Sequence, residues 1–595
     1  MKLSLKFKLY LVLLLAIFFR FYGLSWDQGF HLHPDERMIT MVVTELRWPQ
    51  TPEEWQSLFT PQGVLNPHFF AYGSFPLYFL KLSGWLFSFL NPKWLTYDWI
   101  NLLGRGISVL ADLGVIYLVY LIGKNIWSSR IGLWGAIFYS LAVFPIQAAH
   151  FYAVDSLLNI FILTTLYCLL LFYQKPLFKN AVIVGIFFGL SLATKVSATV
   201  LLAAIGIALV VDLIFVFIKR IRQIRLVPKI HQELFSFLAW LFSAFKTPKK
   251  EELFRILFSC FKYGLMITIT TIFVFLVFEP YALIDFPTFW RQTQEQRAMT
   301  KNAYVFPYTL QYVGTTPYLY HLKNLVFWGM GIPLGIFSIL GTLFLVAKMI
   351  KEVPQPGKEN QEAKIVILLS FLLVYFLVVG QFAIKFMRYL LPLYSLLCLF
   401  AAWFLFQLPG IYKKIFLTLT LGFSLLWAIS FITIYSQPNT RVSASNWINK
   451  DIPQGSKLAV EHWDDRVPMW GNYQFLEMPM YEPDASASKW QLVEQNLAQA
   501  DYLILASNRL YVPLPKLADC NKYQVCYPKT AQYYQQLFAG QLGFRKVAEF
   551  SSYPTLSLLG LAIIDDSADE SFTVYDHPRI IIFKRTKADP YGFSL

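Results

Sequence analysis

Long apolar runs separated by short polar joins fill the first 436 residues, and then the pattern changes. The runs lie at about 9–24, 105–123, 131–149, 156–173, 181–194, 197–218, 257–279, 324–347, 364–384, 389–408 and 414–436. About 20 apolar residues cross the hydrocarbon of a bilayer as a helix, so the runs predict about eleven transmembrane helices, with 156–173 and 181–194 the shorter ones. Beyond residue 436, strand-like runs at 457–461, 502–506, 545–548 and 579–583 alternate with helical stretches such as Ser443–Asn449 and Ala531–Phe538. That alternation predicts a small α/β domain. The expected architecture is a polytopic α-helical membrane domain, residues 1–436, followed by a C-terminal α/β domain, residues 437–595.

Charge gives the runs a direction. Lys2, Lys6 and Lys8 precede the first run, which lacks a small-residue cleavage site and reads as a retained helix with a cytoplasmic N-terminus. Alternate joins are basic: Lys124 and Arg130; Lys175 and Lys179; the stretch Lys219 to Arg255; Lys348, Lys351, Lys358 and Lys364; Lys413 and Lys414. The long first loop, 25–104, is acidic in its first part, where Asp27, Asp35, Glu36, Glu45, Glu53 and Glu54 face only Arg37 and Arg47. An odd number of spans then sets the α/β domain outside the cytoplasm. The net charge of +15 would suit a nucleic-acid partner, but the α/β part holds 15 basic and 17 acidic residues. The excess therefore lies in the membrane part and reads as the positive-inside bias of its joins, with no nucleic acid implied. Only 15% of residues are charged and mean hydropathy is +0.47, far from a soluble chain. Within 219–256, the segment Leu234–Phe242 reads as an interfacial helix against anionic lipid. Cys168, Cys260 and Cys398 lie in apolar runs, whereas Cys520 and Cys526 lie six apart in a polar loop where an external location permits a disulfide.

Ionisable groups in or beside the spans are costly and so are functional candidates. They are Asp35 and Glu36 in the stretch His31–Arg37, Arg105, His150, Asp155, Lys195, Lys385 and Arg388. On the topology above all fall at the outer face. Carboxylates and cations gathered at one interface suit an anionic lipid substrate and a nucleophile that must lose a proton. Each has a plainer reading. Asp35 and Asp155 can cap helices, Arg105 and Arg388 can anchor helix ends, and Lys385 can snorkel. Spacing of i, i+2 makes His31 and His33 weak metal ligands, and solvent-facing histidines are expected. No Gly-rich phosphate loop, zinc spacing or internal repeat is present in the sequence.

The order of several segments resembles a known family. Asp35-Glu36 and Tyr72–Tyr78 are followed by Arg105-Gly106-Ile107-Ser108, His150–Ser156, Ala193-Thr194-Lys195, Lys385–Pro392 and Phe572–Pro578. The chain is similar to membrane glycosyltransferases of the GT-C fold. It looks most like the bacterial phospholipid-carrier-dependent group related to protein O-mannosyltransferases and aminoarabinose transferase. The resemblance implies transfer of a sugar, mannose by family analogy, from a polyprenyl-phosphate donor to a hydroxyl of a protein, lipid or glycan acceptor. The reaction would occur at the outer face of a bacterial cell membrane, with inversion and no required cofactor, a divalent metal being left open. It implies Asp35, supported by Glu36, and Asp155 as catalytic carboxylates, and Arg105, Lys195 and Arg388 as contacts to the donor phosphate. Ser74-Phe75 stands where aminoarabinose transferases carry Glu-Lys, which argues against that sugar. A transporter or flippase for a lipid-linked or anionic substrate, and a sensor that binds ligand through its α/β domain, are the rival classes.

Overall fold

The computed structural model describes residues 4–225, 250–352 and 354–586. The segment Leu234–Phe242 lies outside these residues. Among them, eight helices are long and apolar enough to cross a membrane: Tyr97–Ile126, Asp155–Gln174, Val196–Val216, Phe254–Phe278, Ile332–Glu352, Glu359–Gly380, Met387–Gln407 and the first part of Gly410–Asp451. Ser129–Leu141 and Val143–Ala149 pass the same test together but are bent by 63°. Pro145 accounts for the break, because it has no N–H for the Leu141 carbonyl and its ring crowds that carbonyl. Two helices of 17 residues, Leu5–Phe21 and Phe178–Thr194, complete the set. All the apolar runs are thus helical, and the chain is a multi-pass membrane protein. Two boundaries differ from the sequence reading. The second helix begins at Tyr97, inside the expected first loop. The span within 324–347 begins only at Ile332, after a π turn at Leu325–Gly329 and Gly331 at φ +81°.

Close helix approach is paid for with glycine. A Cβ on Gly123 would lie 2.5 Å from the Gly132 Cα, so Tyr97–Ile126 and Ser129–Leu141 pack backbone to backbone. Buried polar groups also pair between helices. Arg20 is fully buried and its Nε donates to Asp112 at 2.5 Å, while the Tyr139 hydroxyl donates to the other Asp112 oxygen.

The first loop folds into short helices, Pro34–Glu45, Pro52–Ser57 and Phe75–Ser88, of which the first and third pack on Tyr97–Ile126. The C-terminal domain holds strands β1 (Lys457–Glu461), β2 (Gln474–Met478), β3 (Tyr502–Leu505), β4 (Phe544–Phe550), β5 (Thr555–Leu556), β6 (Leu561–Ala562) and β7 (Ile580–Arg585). Five form one sheet in the order β2-β1-β3-β7-β4; β1 runs parallel to β2 and β3, and β7 is antiparallel to β3 and β4. Alternate residues feed two cores. Leu458, Val460, Ile580 and Ile582 meet helix Thr440–Asp451, while Ala459, Leu503 and Phe583 meet Ala487–Gln499 and Pro528–Phe538. Cys520 and Cys526 are joined as a disulfide.

A buried charge cluster clamps this domain to the membrane helices. His577 lies between Asp565 and Asp576, at 2.9 and 2.5 Å. Asp576 also accepts from Tyr435, just past the last span, and from Gln147 of the bent pair. Burial alone would lower the His577 pKa; the two carboxylates outweigh it and raise the pKa to about 10. The contribution of this group is complete below the unfolded value of about 6.5 and is lost as pH rises through about 10. The melting temperature of the purified protein in lipid is expected to fall between pH 7 and 10. His577→Asn should flatten that dependence relative to wild type, and parallel curves for the two would remove the charge from the clamp.

Candidate active site

A cavity of about 520 Å³ lies between the first-loop helices, the membrane helix ends and the C-terminal domain. Its membrane-side wall carries two ion pairs. Asp35 stands in the first turn of Pro34–Glu45 and is paired with Arg388, from the turn Met387–Leu390. Both side chains are about four-fifths buried yet line the cavity. The Arg388 guanidinium lies 5.0 Å from the Phe386 ring, and its buried Nε–H has no partner in the protein. Lys195, between Phe178–Thr194 and Val196–Val200, donates to Asp155 at 2.9 Å and lies over the rings of Tyr72 and Tyr389 at 5.5 and 5.3 Å. The other Asp155 oxygen is buried without a partner. Gly73 holds this corner together: its N–H donates to the Thr194 carbonyl, and a Cβ there would lie 1.9 Å from the Ala193 oxygen.

Neither carboxylate is the helix cap it could have been. His33 caps Pro34–Glu45 through its Nδ1, which accepts from the Glu36 N–H. Asp155 is the first residue of its helix, and Val154 before it takes φ +57°. That backbone is costly for a β-branched residue.

Arg105 and Glu36 require correction. They do not line the cavity but lie behind it, 1% and 0% exposed, together with Asp27. All five N–H groups of Arg105 are taken: Nε by Glu36, Nη1 by Asp27 and the Leu24 carbonyl, and Nη2 by Asp27 and Glu36. Glu36 also accepts from the Tyr152 N–H. No N–H remains to reach a phosphate, and the cluster is a buried brace for the first loop. Adjacent residues on a helix point about 100° apart, which sends Asp35 to the cavity and Glu36 to the core.

The expectation of solvent-facing histidines is also overturned. His31 is buried beside Asp98 and Tyr97, and His33 between Phe151 and Tyr575. His150 is spent on the Ile146 and Tyr22 carbonyls, and Lys385 on the Ala383 carbonyl. Among the described residues no three His, Cys, Asp or Glu side chains gather as a metal site.

Of the opposite wall, only the part within Phe572–Pro578, which carries Tyr575, falls in a segment singled out from the sequence. The wall comes from the loops after β1 and β3, which contribute Trp463, Asp464, Asp465 and Arg509, and from Glu570 and Tyr575. The carboxyl ends of parallel strands are where open α/β sheets bind ligands. The run His462-Trp463-Asp464-Asp465-Arg466 directly after a predicted strand was the available signal. Arg509 Nε donates to Glu570 at 2.7 Å. Burial raises the Glu570 pKa to about 7 despite Arg509. Arg37 of the first loop pairs with Asp465 and ties the two walls together.

Residues 102–226 match the family model described as dolichyl-phosphate-mannose-protein mannosyltransferase. That stretch includes Arg105, Asp155 and Lys195. No curated protein matches the sequence. Among solved structures, the archaeal oligosaccharyltransferase AglB from Archaeoglobus fulgidus, in complex with an inhibitory peptide and a dolichol-phosphate, aligns over 98% of this chain and 88% of its own at 12% identity and TM-score 0.49. ArnT from Cupriavidus metallidurans bound to undecaprenyl phosphate aligns over 98% and 99% at 13% identity and TM-score 0.44.

Proposed function

We propose that this protein is a membrane glycosyltransferase of the GT-C type that moves a sugar from a polyprenyl-phosphate donor to an acceptor hydroxyl. The observation that carries this reading is the membrane-side wall, where two cations, Arg388 and Lys195, line one cavity and each is paired with a carboxylate, Asp35 in the same cavity and Asp155 at a small adjoining one that shares Arg388. The family-model match, which spans Asp155 and Lys195, supports it. A phosphate leaving group calls for such cations, and an acceptor hydroxyl calls for a carboxylate within reach.

The chemistry we assign to these residues is a charge exchange. The donor phosphate takes Arg388, whose Nε–H is unpaired, and Lys195 as its counter-ions. Asp35 is thereby released to act as base, and Asp155 keeps Lys195 in position. The acceptor oxygen attacks the anomeric carbon, the bond to phosphate breaks with its electron pair leaving on the phosphate, and the proton passes to Asp35. A single displacement inverts the anomeric centre. The basic joins support an outer-face location for the cavity, and the family resemblance supports a bacterial membrane and makes mannose the first sugar to test. The test is purified protein in lipid with a panel of polyprenyl-phosphate sugars and mixed protein, lipid and glycan acceptors. Consumption of one donor with sugar appearing on an acceptor is expected. Movement of labelled donor across the bilayer without transfer would instead make the protein a flippase.

A further inference from the structure

The wall formed by the C-terminal domain differs in character from the wall that carries the proposed phosphate contacts. Its charges are paired: Arg441 with Asp464 at 3.2 Å, Arg509 with Glu570 at 2.7 Å, and Asp465 with Arg37 of the first loop. Each cation there already has a carboxylate partner. Trp463, by contrast, is about half exposed and stands on a backbone with φ +74°. A bulky residue enters that region only where its surroundings over-determine it. The Arg509 guanidinium reaches the Trp463 carbonyl at 3.4 Å, and Ser507 donates to Asp464, so both the backbone and its neighbour are held. Glu570 lines the cavity, and one of its carboxylate oxygens is buried with no donor in the protein. A buried acceptor without a donor is costly, and a ligand hydroxyl would satisfy it.

An open aromatic face, planar paired groups and an unfilled acceptor, with each cation already paired, suit a neutral ring bearing hydroxyls. We infer that the loops after β1 and β3 form a saccharide subsite, in which a sugar ring stacks on Trp463 and a hydroxyl donates to Glu570. The inference rests on the glycosyltransferase reading and extends it to one chemistry with two sources, the ring of the donor or a ring of a glycan acceptor.

The test titrates the full-length protein in nanodiscs with four kinds of probe. These are bare undecaprenyl phosphate, undecaprenyl-phosphate sugars of the gluco, manno and galacto series, free trisaccharides of the same series, and a Ser/Thr-containing peptide. At least one sugar-bearing probe is expected to bind wild type, and Trp463→Ala to weaken it about tenfold, as loss of a stacked ring would. Trp463→Phe should restore most of the affinity, while bare undecaprenyl phosphate binds all three proteins equally and their melting temperatures agree. Loss confined to lipid-linked sugars assigns the donor ring, and loss with free trisaccharides assigns an acceptor ring. The subsite is overturned if no sugar-bearing probe binds wild type, if Trp463→Ala binds them all as wild type does, or if only the peptide is lost. Failure of bare undecaprenyl phosphate to bind wild type, with Trp463-dependent trisaccharide binding intact, would sink the donor assignment and leave the subsite standing.

Discussion

Asp35→Asn is expected to lower kcat for sugar transfer about 10²–10⁴-fold, the usual range for removing a general base. Asparagine keeps the size of the side chain but cannot take the acceptor's proton. Asp35 lies in a cavity, partly exposed and paired only with Arg388, so the fold loses little and the melting temperature should hold. Donor affinity should stay level or rise, because a negative charge beside the phosphate is gone. That combination, kcat lost with binding kept, separates a base from a structural residue. Asp155→Asn is expected to differ: it loosens Lys195, its partner at 2.9 Å, and so should weaken donor binding as well. Full transfer by Asp35→Asn with none by Asp155→Asn would move the base to Asp155.

Arg105→Leu should destabilise the protein by about 3–5 kcal/mol, the cost of stripping the partner from buried charge. Asp27 and Glu36 would both be left with unpaired oxygens at 2% and 0% exposure. Arg105→Lys should recover little, since one ammonium has three N–H groups where the guanidinium uses five. Neutralising the whole brace with Asp27→Asn, Glu36→Gln and Arg105→Met should restore much of the loss. Melting temperature and the yield of monodisperse protein measure this. An unchanged melting temperature with a raised donor KM would return Arg105 to the phosphate.

The candidate residues were legible as a set and illegible as partners. Charge in an apolar chain signals a site because its desolvation must be repaid, and that argument found Asp35, Asp155, Lys195 and Arg388. The same argument also selected Arg105, Glu36, His150 and Lys385, which repay the cost with structural bonds inside the protein. Nothing local distinguishes the two groups. The domain wall was missed because Trp463, Asp464 and Arg509 look like ordinary loop residues until β1 and β3 are aligned side by side. His577 shows the opposite case: its segment was noticed, but its two carboxylate partners came together only through the fold.

By itself the sequence determined the apolar helices and the change to alternating strands and helices beyond the last span. Those follow from burial acting on each segment: a run of about 20 apolar residues is soluble in lipid whatever its neighbours are, and a strand's two-residue period reports its own two faces. Only the tertiary structure decided which charges face a cavity and which brace the core. Asp35 and Arg388 stand 353 residues apart along the chain, and Arg105 and Asp27 stand 78 apart. Ion pairing depends on distances of a few ångströms, and over such separations those distances are set by how the helices pack and not by any local pattern.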